Sequence, residues 1–259
     1  MIDYHWTGRG DDALFENPRN WLPHGVPGFQ DSAILTNHER ILVNQTHVLR
    51  HISIEEYTSL ILVSGTLAVT GVTAISKQGR FVIRAGCTFY SHGRLTIDHG
   101  HFYLYGLMTG SGHIVAHYGT IRLFGGKIIS PIIQTGIGPA HYEVSGDAVL
   151  RFAQMPESKA TVTFEGKNNH VIIPVVHAPI ELPFIGIRQD DKLEIDGLDV
   201  ATTTIYKVET GLYRIHIHPT QGSEGAAIRS VVEDIILLCV VPAPSEPIET
   251  IHNFVVKNR

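Results

Sequence analysis

Between Gly65 and Gly126 the chain alternates apolar and polar residues in short bursts, and glycines punctuate the bursts. Gly79 is followed by Phe81 and Ile83, Gly93 by Leu95 and Ile97, and Gly100 by Phe102 and Leu104. Gly112 is followed by Ile114 and Ala116, and Gly119 by Ile121 and Leu123. In each case the second and fourth residues after glycine are apolar, and the positions around them are polar or mixed: Arg80, Arg94, Asp98, His101, His113, Arg122. Alternation with period two over four or five residues predicts a strand with one buried face. Gly79, Gly86, Gly93, Gly100, Gly106, Gly112, Gly119 and Gly126 recur every six or seven residues. Glycine at such corners is expected to supply the positive φ of a tight turn.

These strands are shorter than those of a hairpin meander, and the corners lack its Asn-Gly or Asp-Gly pairs. Three strand-and-corner units make a triangular coil of roughly 20 residues, the period of a solenoid. Phe81, Phe102 and Leu123 lie 21 residues apart, as do Ile83 and Leu104, so they are expected to stack on one inner face. Cys87-Thr88-Phe89-Tyr90 shifts the apolar phase, and Leu107-Met108-Thr109 carries it weakly. The predicted fold is all-β: a right-handed single-stranded parallel β-helix (a β-solenoid) with an N-terminal cap and a C-terminal antiparallel β region. A sandwich of antiparallel strands is the competing architecture. The one passable helical stretch, Ser223 to Ile236, is rich in valine and isoleucine, which favour strand.

The pattern divides the chain into a cap segment, 1–38, coils over 39–175, a C-terminal β region, 176–239, and a Pro-rich linker with a strand-like tail, 240–259. A solenoid exposes strand edges and apolar core at its ends, so an end coil needs a cover. Trp6, Phe15 and Trp21 are suited to that role; the alternative is an aromatic platform for sugars. Residues 176–239 lose the glycine period. There Thr203–Val208, Tyr213–His218 and Ile228–Val241 read as antiparallel strands. Val241-Pro242-Ala243-Pro244-Ser245-Glu246-Pro247 reads as a stiff linker. Beyond it Ile248, Ile251, Phe254 and Val256 give a strand that either folds back on its own body or adds to an exposed edge of another copy.

The first 35 residues or so carry Trp6-Thr7-Gly8, Asn17-Pro18-Arg19-Asn20-Trp21, Val26-Pro27-Gly28 and Asp31-Ser32-Ala33-Ile34. This order resembles the opening of bacterial secreted β-helix proteins of the autotransporter-passenger and adhesin type. A weaker likeness covers Pro183 to Leu198, where Gln189-Asp190-Asp191 stands in place of the usual Gly-Asp. The resemblance implies a secreted, surface-associated β-helix.

Charge and composition narrow the function classes. The charged fraction is 17%, against 43% apolar residues, which argues for a folded protein with a polar but weakly charged exterior. The net charge is −5 without a basic run, so no nucleic-acid partner is expected. No apolar run reaches the roughly 18 residues of a membrane span, so no membrane insertion is expected. Cys87 and Cys239 can pair but need not, and neither has metal-type spacing. The opening Met1–Trp6 lacks the basic and apolar regions of a classical signal peptide, so export is expected by another route or from an already processed chain.

Candidate chemistry is sparse. Of 16 histidines, His99/His101, His113/His117 and His216/His218 have suggestive spacing. Residues two apart on a strand share a face, so His99 with His101 and His216 with His218 are weak metal candidates, with solvated histidines as the alternative. Asp190, Asp191, Glu194, Asp196 and Asp199 read as a solvated acidic turn or a hard-cation site. Polysaccharide-cleaving β-helices need paired carboxylates. In the repeat carboxylates are sparse: Asp98 alone sits mid-coil, with Glu143 and Asp147 later, and no two lie one coil apart on an obvious shared face. No nucleophile elbow, phosphate loop or dinucleotide fingerprint occurs. No catalytic residue, cofactor or firm metal site is assigned.

The expected function is an extracellular or cell-surface structural or adhesive protein. Its expected partners are itself, in fibres built by end-to-end stacking or strand exchange, or a surface or matrix polysaccharide. The alternatives are a tailspike- or lyase-like polysaccharide-degrading enzyme, or a carbohydrate-binding module using Tyr90, Tyr103, Tyr105 and Tyr118.

Overall fold

The structure is a computed structural model. It describes residues 1–129, 132–135, 138–152, 160–174, 184–186, 190–196, 200–209, 212–219 and 235–240. Side chains are described to residue 129, at 133, and over 138–152, 160–174, 184–186 and 190–194.

The chain is a β-solenoid. Its parallel strands stack into three sheets, of eight, eleven and eight strands, here sheets 1, 2 and 3. Each coil passes through the sheets in turn: Thr73–Ser76, Arg80–Ile83 and Thr88–Ser91 form one, and Arg94–Asp98, His101–Leu104 and Leu107–Thr109 the next. Parallel pairing of this kind begins at Ser32 and continues to Asp196, past the expected 39–175 span at both ends. No helix among the described residues is long and apolar enough to cross a membrane.

Alternation places every second residue inside. On sheet 2 the inner ladders are Ile41, Leu60, Phe81, Phe102, Ile121, Tyr142 and Val162, and Val43, Leu62, Ile83, Leu104, Leu123, Val144 and Phe164. All are buried. Phe81 pairs with Phe102 and Ile83 with Leu104, as their spacing predicts. The next step differs: Phe102 pairs with Ile121, and Leu123 pairs with Leu104. The cause is a shorter corner. Arg84–Cys87 separate the strands of one coil, but only Tyr105-Gly106 separate those of the next. Two fewer residues shift the register by two, which keeps every side chain on its face. The corner before His101 is also one residue shorter, His99-Gly100 against Lys77–Gly79, so a coil takes 19 residues from Arg94 to His113 but 22 from Thr73 to Leu95.

The corner glycines also work differently from the expectation. Of the regular series only Gly86 has a positive φ, +79°. Left-handed corners are held instead by Tyr57, Gln78, His99 and Tyr118. The glycines are needed because the preceding coil is too close. A Cβ on Gly93 would run into the carbonyl of Gly71, and one on Gly106 into that of Cys87.

At the N-terminus the chain covers the first coil. Asp3–Trp6 adds to sheet 1 beside Ser32–Leu35, and Trp21–Leu22 pairs antiparallel outside it. Phe15 N–H donates to the Leu42 carbonyl, and Leu42 N–H to that of Ala13, which blocks the first strand of sheet 2. Glu16 accepts the N–H groups of Asn44 and Gln45 just before the first strand of sheet 3. Trp6, Phe15 and Trp21 are buried and pack edge to face, with Trp21 centred 5.1 Å from Trp6 and 4.8 Å from Phe15.

At the other end Val200–Glu209, Leu212–Pro219 and Ile235–Val240 are antiparallel to one another. The last runs parallel to Phe184–Ile185, so this unit extends sheet 2. Val200–Glu209 is its outermost strand among the described residues.

Candidate functional site

The outer face of sheet 2 gathers the most chemistry. Its central outward ladder runs Leu42, Ile61, Val82, Tyr103, Arg122, Glu143, Thr163, Ile185, one residue per coil. The ladder changes from apolar through aromatic to charged. Arg122 lies over the Tyr103 ring, 5.8 Å from its centroid, and forms an ion pair with Glu143 one coil on. Glu165 lies diagonally across from Glu143 on the following strand, opposite Ser145. Burial pushes the Glu143 carboxyl above its ordinary value; Arg122 opposes this and Glu165 adds to it.

Beside this ladder stands His101. Its Nε2 is 2.9 Å from Gln78 Oε1, while its Nδ1 is buried without a partner among the described residues. Burial, then Arg80 and Arg122, hold its pKa below the usual value. His101 is thereby kept neutral, the form a metal ligand needs.

The carboxylate expectation is corrected here. Sequence reading paired none of Asp98, Glu143 and Asp147, and overlooked Glu165. The strands His141–Ser145 and Thr161–Glu165 align Glu143 with Thr163, which puts Glu165 one pleat further along the same face. The separation of 22 residues, one coil plus two, was the available signal.

The metal expectation for His99 and His101 is corrected too. His99 occupies a left-handed corner, φ 54°, while His101 starts the next strand, so they do not share a strand face. His99 Nδ1 is 2.8 Å from Asp98 Oδ1, and its ring stacks on Tyr118 with centroids 4.9 Å apart. His113 and His117 open and close one strand. His216 and His218 lie two apart in Leu212–Pro219, and their side chains are outside the described residues. Among the described residues no group of three or more His, Cys, Asp or Glu is placed to hold a metal ion.

The four tyrosines do not form one platform. Tyr103 belongs to sheet 2, Tyr105 sits in the corner that follows its strand, Tyr90 lies on sheet 3, and Tyr118 sits in another corner. Tyr105 stacks on Phe124 of the next coil at 4.9 Å and 15°.

The acidic turn is not wholly solvated. Asp191 is buried, and its Oδ1 accepts both the backbone N–H and the side-chain amide of Asn169 at 2.9 Å. Glu194 Oε2 lies 2.9 Å from His170 Nε2. Asp199 lies outside the described residues. Cys87 is a free, buried thiol whose pKa burial raises, which disfavours the reactive thiolate. Ile248, Ile251, Phe254 and Val256 lie outside the described residues. Comparisons with family models, curated proteins and solved structures returned no match.

Proposed function

We propose that this chain is a structural or adhesive β-solenoid of the bacterial cell surface or its matrix, with a second copy or a surface polysaccharide as partner. The observation that carries the reading is the asymmetry of its ends. Cap residues cover the N-terminal edges of sheets 1 and 2 and hold the turn that leads into sheet 3, which stabilises the body as a rod and obstructs that end as a stacking surface. Among the described residues, sheet 2 instead finishes at the other end in a ten-residue strand, Val200–Glu209. Long edge strands are templates for pairing with another chain. Of the two assembly routes, strand exchange from residues 248–257 therefore fits the geometry better than end-to-end stacking. The N-terminal sequence likeness to secreted β-helix proteins supports the surface location.

Light scattering on the full-length chain over a hundredfold concentration range tests the assembly reading. Concentration-dependent association is expected, and deletion of 242–259 should abolish it while circular dichroism stays unchanged. Association that survives the deletion would rule out strand exchange.

A further inference from the structure

In the middle of sheet 2, three consecutive strands present no carboxylate on their outer face: Arg80–Ile83 with Arg84 after it, His101–Leu104 with Tyr105 after it, and Thr120–Phe124. Arg80 and Arg84 stand at the two ends of the first strand, four residues apart and so on one face, and both are exposed. Neither guanidinium has an ion-pair or hydrogen-bond partner among the described residues. The register sets His101 beside Arg80 and Tyr103 beside Val82. Tyr105 N–H donates to the Ile83 carbonyl, which brings Tyr105 level with Arg84. Arg122 stands one coil beyond Tyr103, held between that ring and Glu143.

Charge on this face is one-sided. The whole chain has a net charge of −5, yet here three arginines face one paired carboxylate, Glu143, with Glu165 further along. His101 feels the excess: burial first, then Arg80 and Arg122, hold its pKa below the usual value. Exposed guanidiniums without a partner are ready to take a carboxylate in a two-pronged hydrogen bond. The stacked pair of Tyr105 and Phe124 lies beside Arg84 and leaves Tyr105 42% exposed, an apolar strip against which the C–H face of a sugar can pack. A small ligand needs a concave pocket, whereas an open sheet face suits an extended chain.

We propose, building on the polysaccharide partner put forward above, that the outer face of sheet 2 from Arg80 to Phe124 binds an acidic polysaccharide. Arg80 and Arg84 pair with its carboxylates, Tyr105 and Phe124 carry its sugar rings, and Arg122, fixed by Tyr103 and Glu143, lines the same track. Glu143 and Glu165 bound the track on its C-terminal side, because their charge repels the polymer there. The polymer therefore crosses the rod near its middle and leaves the C-terminal edge of sheet 2 free for pairing with another copy. An acidic peptide offers carboxylates without sugar rings, so it engages the arginines alone.

Titration calorimetry of the full-length chain with oligogalacturonate, its methyl ester and polyglutamate tests this. Oligogalacturonate should bind more tightly than either of the others, and added salt should weaken it. Arg80→Gln combined with Arg84→Gln should weaken it about tenfold or more, for two charge-assisted hydrogen bonds lost. Arg94→Gln, on sheet 1, should leave it unchanged. Equal binding of the methyl ester would overturn the acidic track and leave a polysaccharide partner standing. Equal binding of polyglutamate, or an equal loss from Arg94→Gln, would overturn a sugar-binding site on sheet 2. No binding of oligogalacturonate would overturn it outright, while light scattering reports on assembly separately. The three wild-type titrations decide the matter if the double variant does not fold.

Discussion

Phe102 lies beside Phe81 of the preceding coil, with ring centroids 5.6 Å apart and both rings fully buried. Phe89 closes the cluster from sheet 3, centred 4.9 Å from Phe81. Removing a ring here leaves a cavity that stacked backbone cannot collapse into. Phe102→Ala is expected to cost about 3–5 kcal/mol in urea unfolding, and Phe102→Leu clearly less. A loss below about 1 kcal/mol for Phe102→Ala would contradict the stacked core.

Two glycines separate close approach from backbone conformation. Gly93→Ala forces a Cβ against the backbone carbonyl of Gly71, which cannot move without opening the coil below. Gly86→Ala meets nothing within 4 Å and costs only the left-handed conformation, about 1–2 kcal/mol. Thermal unfolding should rank Gly93→Ala as the more damaging. The reverse order would show that the corner conformation, not coil spacing, selects glycine.

Asn20 ties the cap together while fully buried. Its Oδ1 accepts the Gly10 N–H at 2.6 Å, and its Nδ2 donates to Asp12 Oδ1 at 2.9 Å and the Leu14 carbonyl at 3.0 Å. Asn20→Ala should destabilise by about 1–3 kcal/mol because partly buried partners lose their bonds. Asn20→Asp should be no better at neutral pH, since a carboxylate cannot donate and would face Asp12. Full stability of Asn20→Asp would contradict this bonding scheme.

Tyr142 presents the opposite case. Its ring fills the inner ladder, but its hydroxyl is buried without a partner among the described residues, and burial raises its pKa far above the usual phenol value. Tyr142→Phe keeps the packing and removes the desolvated hydroxyl. The midpoint of thermal unfolding should stay level or rise. A clear fall would reveal a hydroxyl bond that the geometry does not contain.

The parts of the fold legible in the sequence are those set by period two and by the coil length. The spacing of Phe81 with Phe102 and of Ile83 with Leu104 named true neighbours. Leu123 was misplaced because corner length varies, and a corner two residues shorter leaves the alternation untouched while moving the partner. Gly93 was visible as a corner, but the reason for it was not, since the carbonyl of Gly71 is 22 residues away in sequence. The same limit hid Glu165, which lies diagonally across one coil from Glu143. His99 and His101 show the reverse error: a spacing of two means a shared face only within one strand, and a corner falls between them.

Negative-stain electron microscopy of the full-length chain, set beside a chain lacking 242–259 across pH 5 to 8, tests the central claim most directly. Short rods that join other copies through the C-terminal end are expected, and separate rods after the deletion. Monodisperse single rods from the full-length chain, or fibres joined through the N-terminal cap, would contradict it.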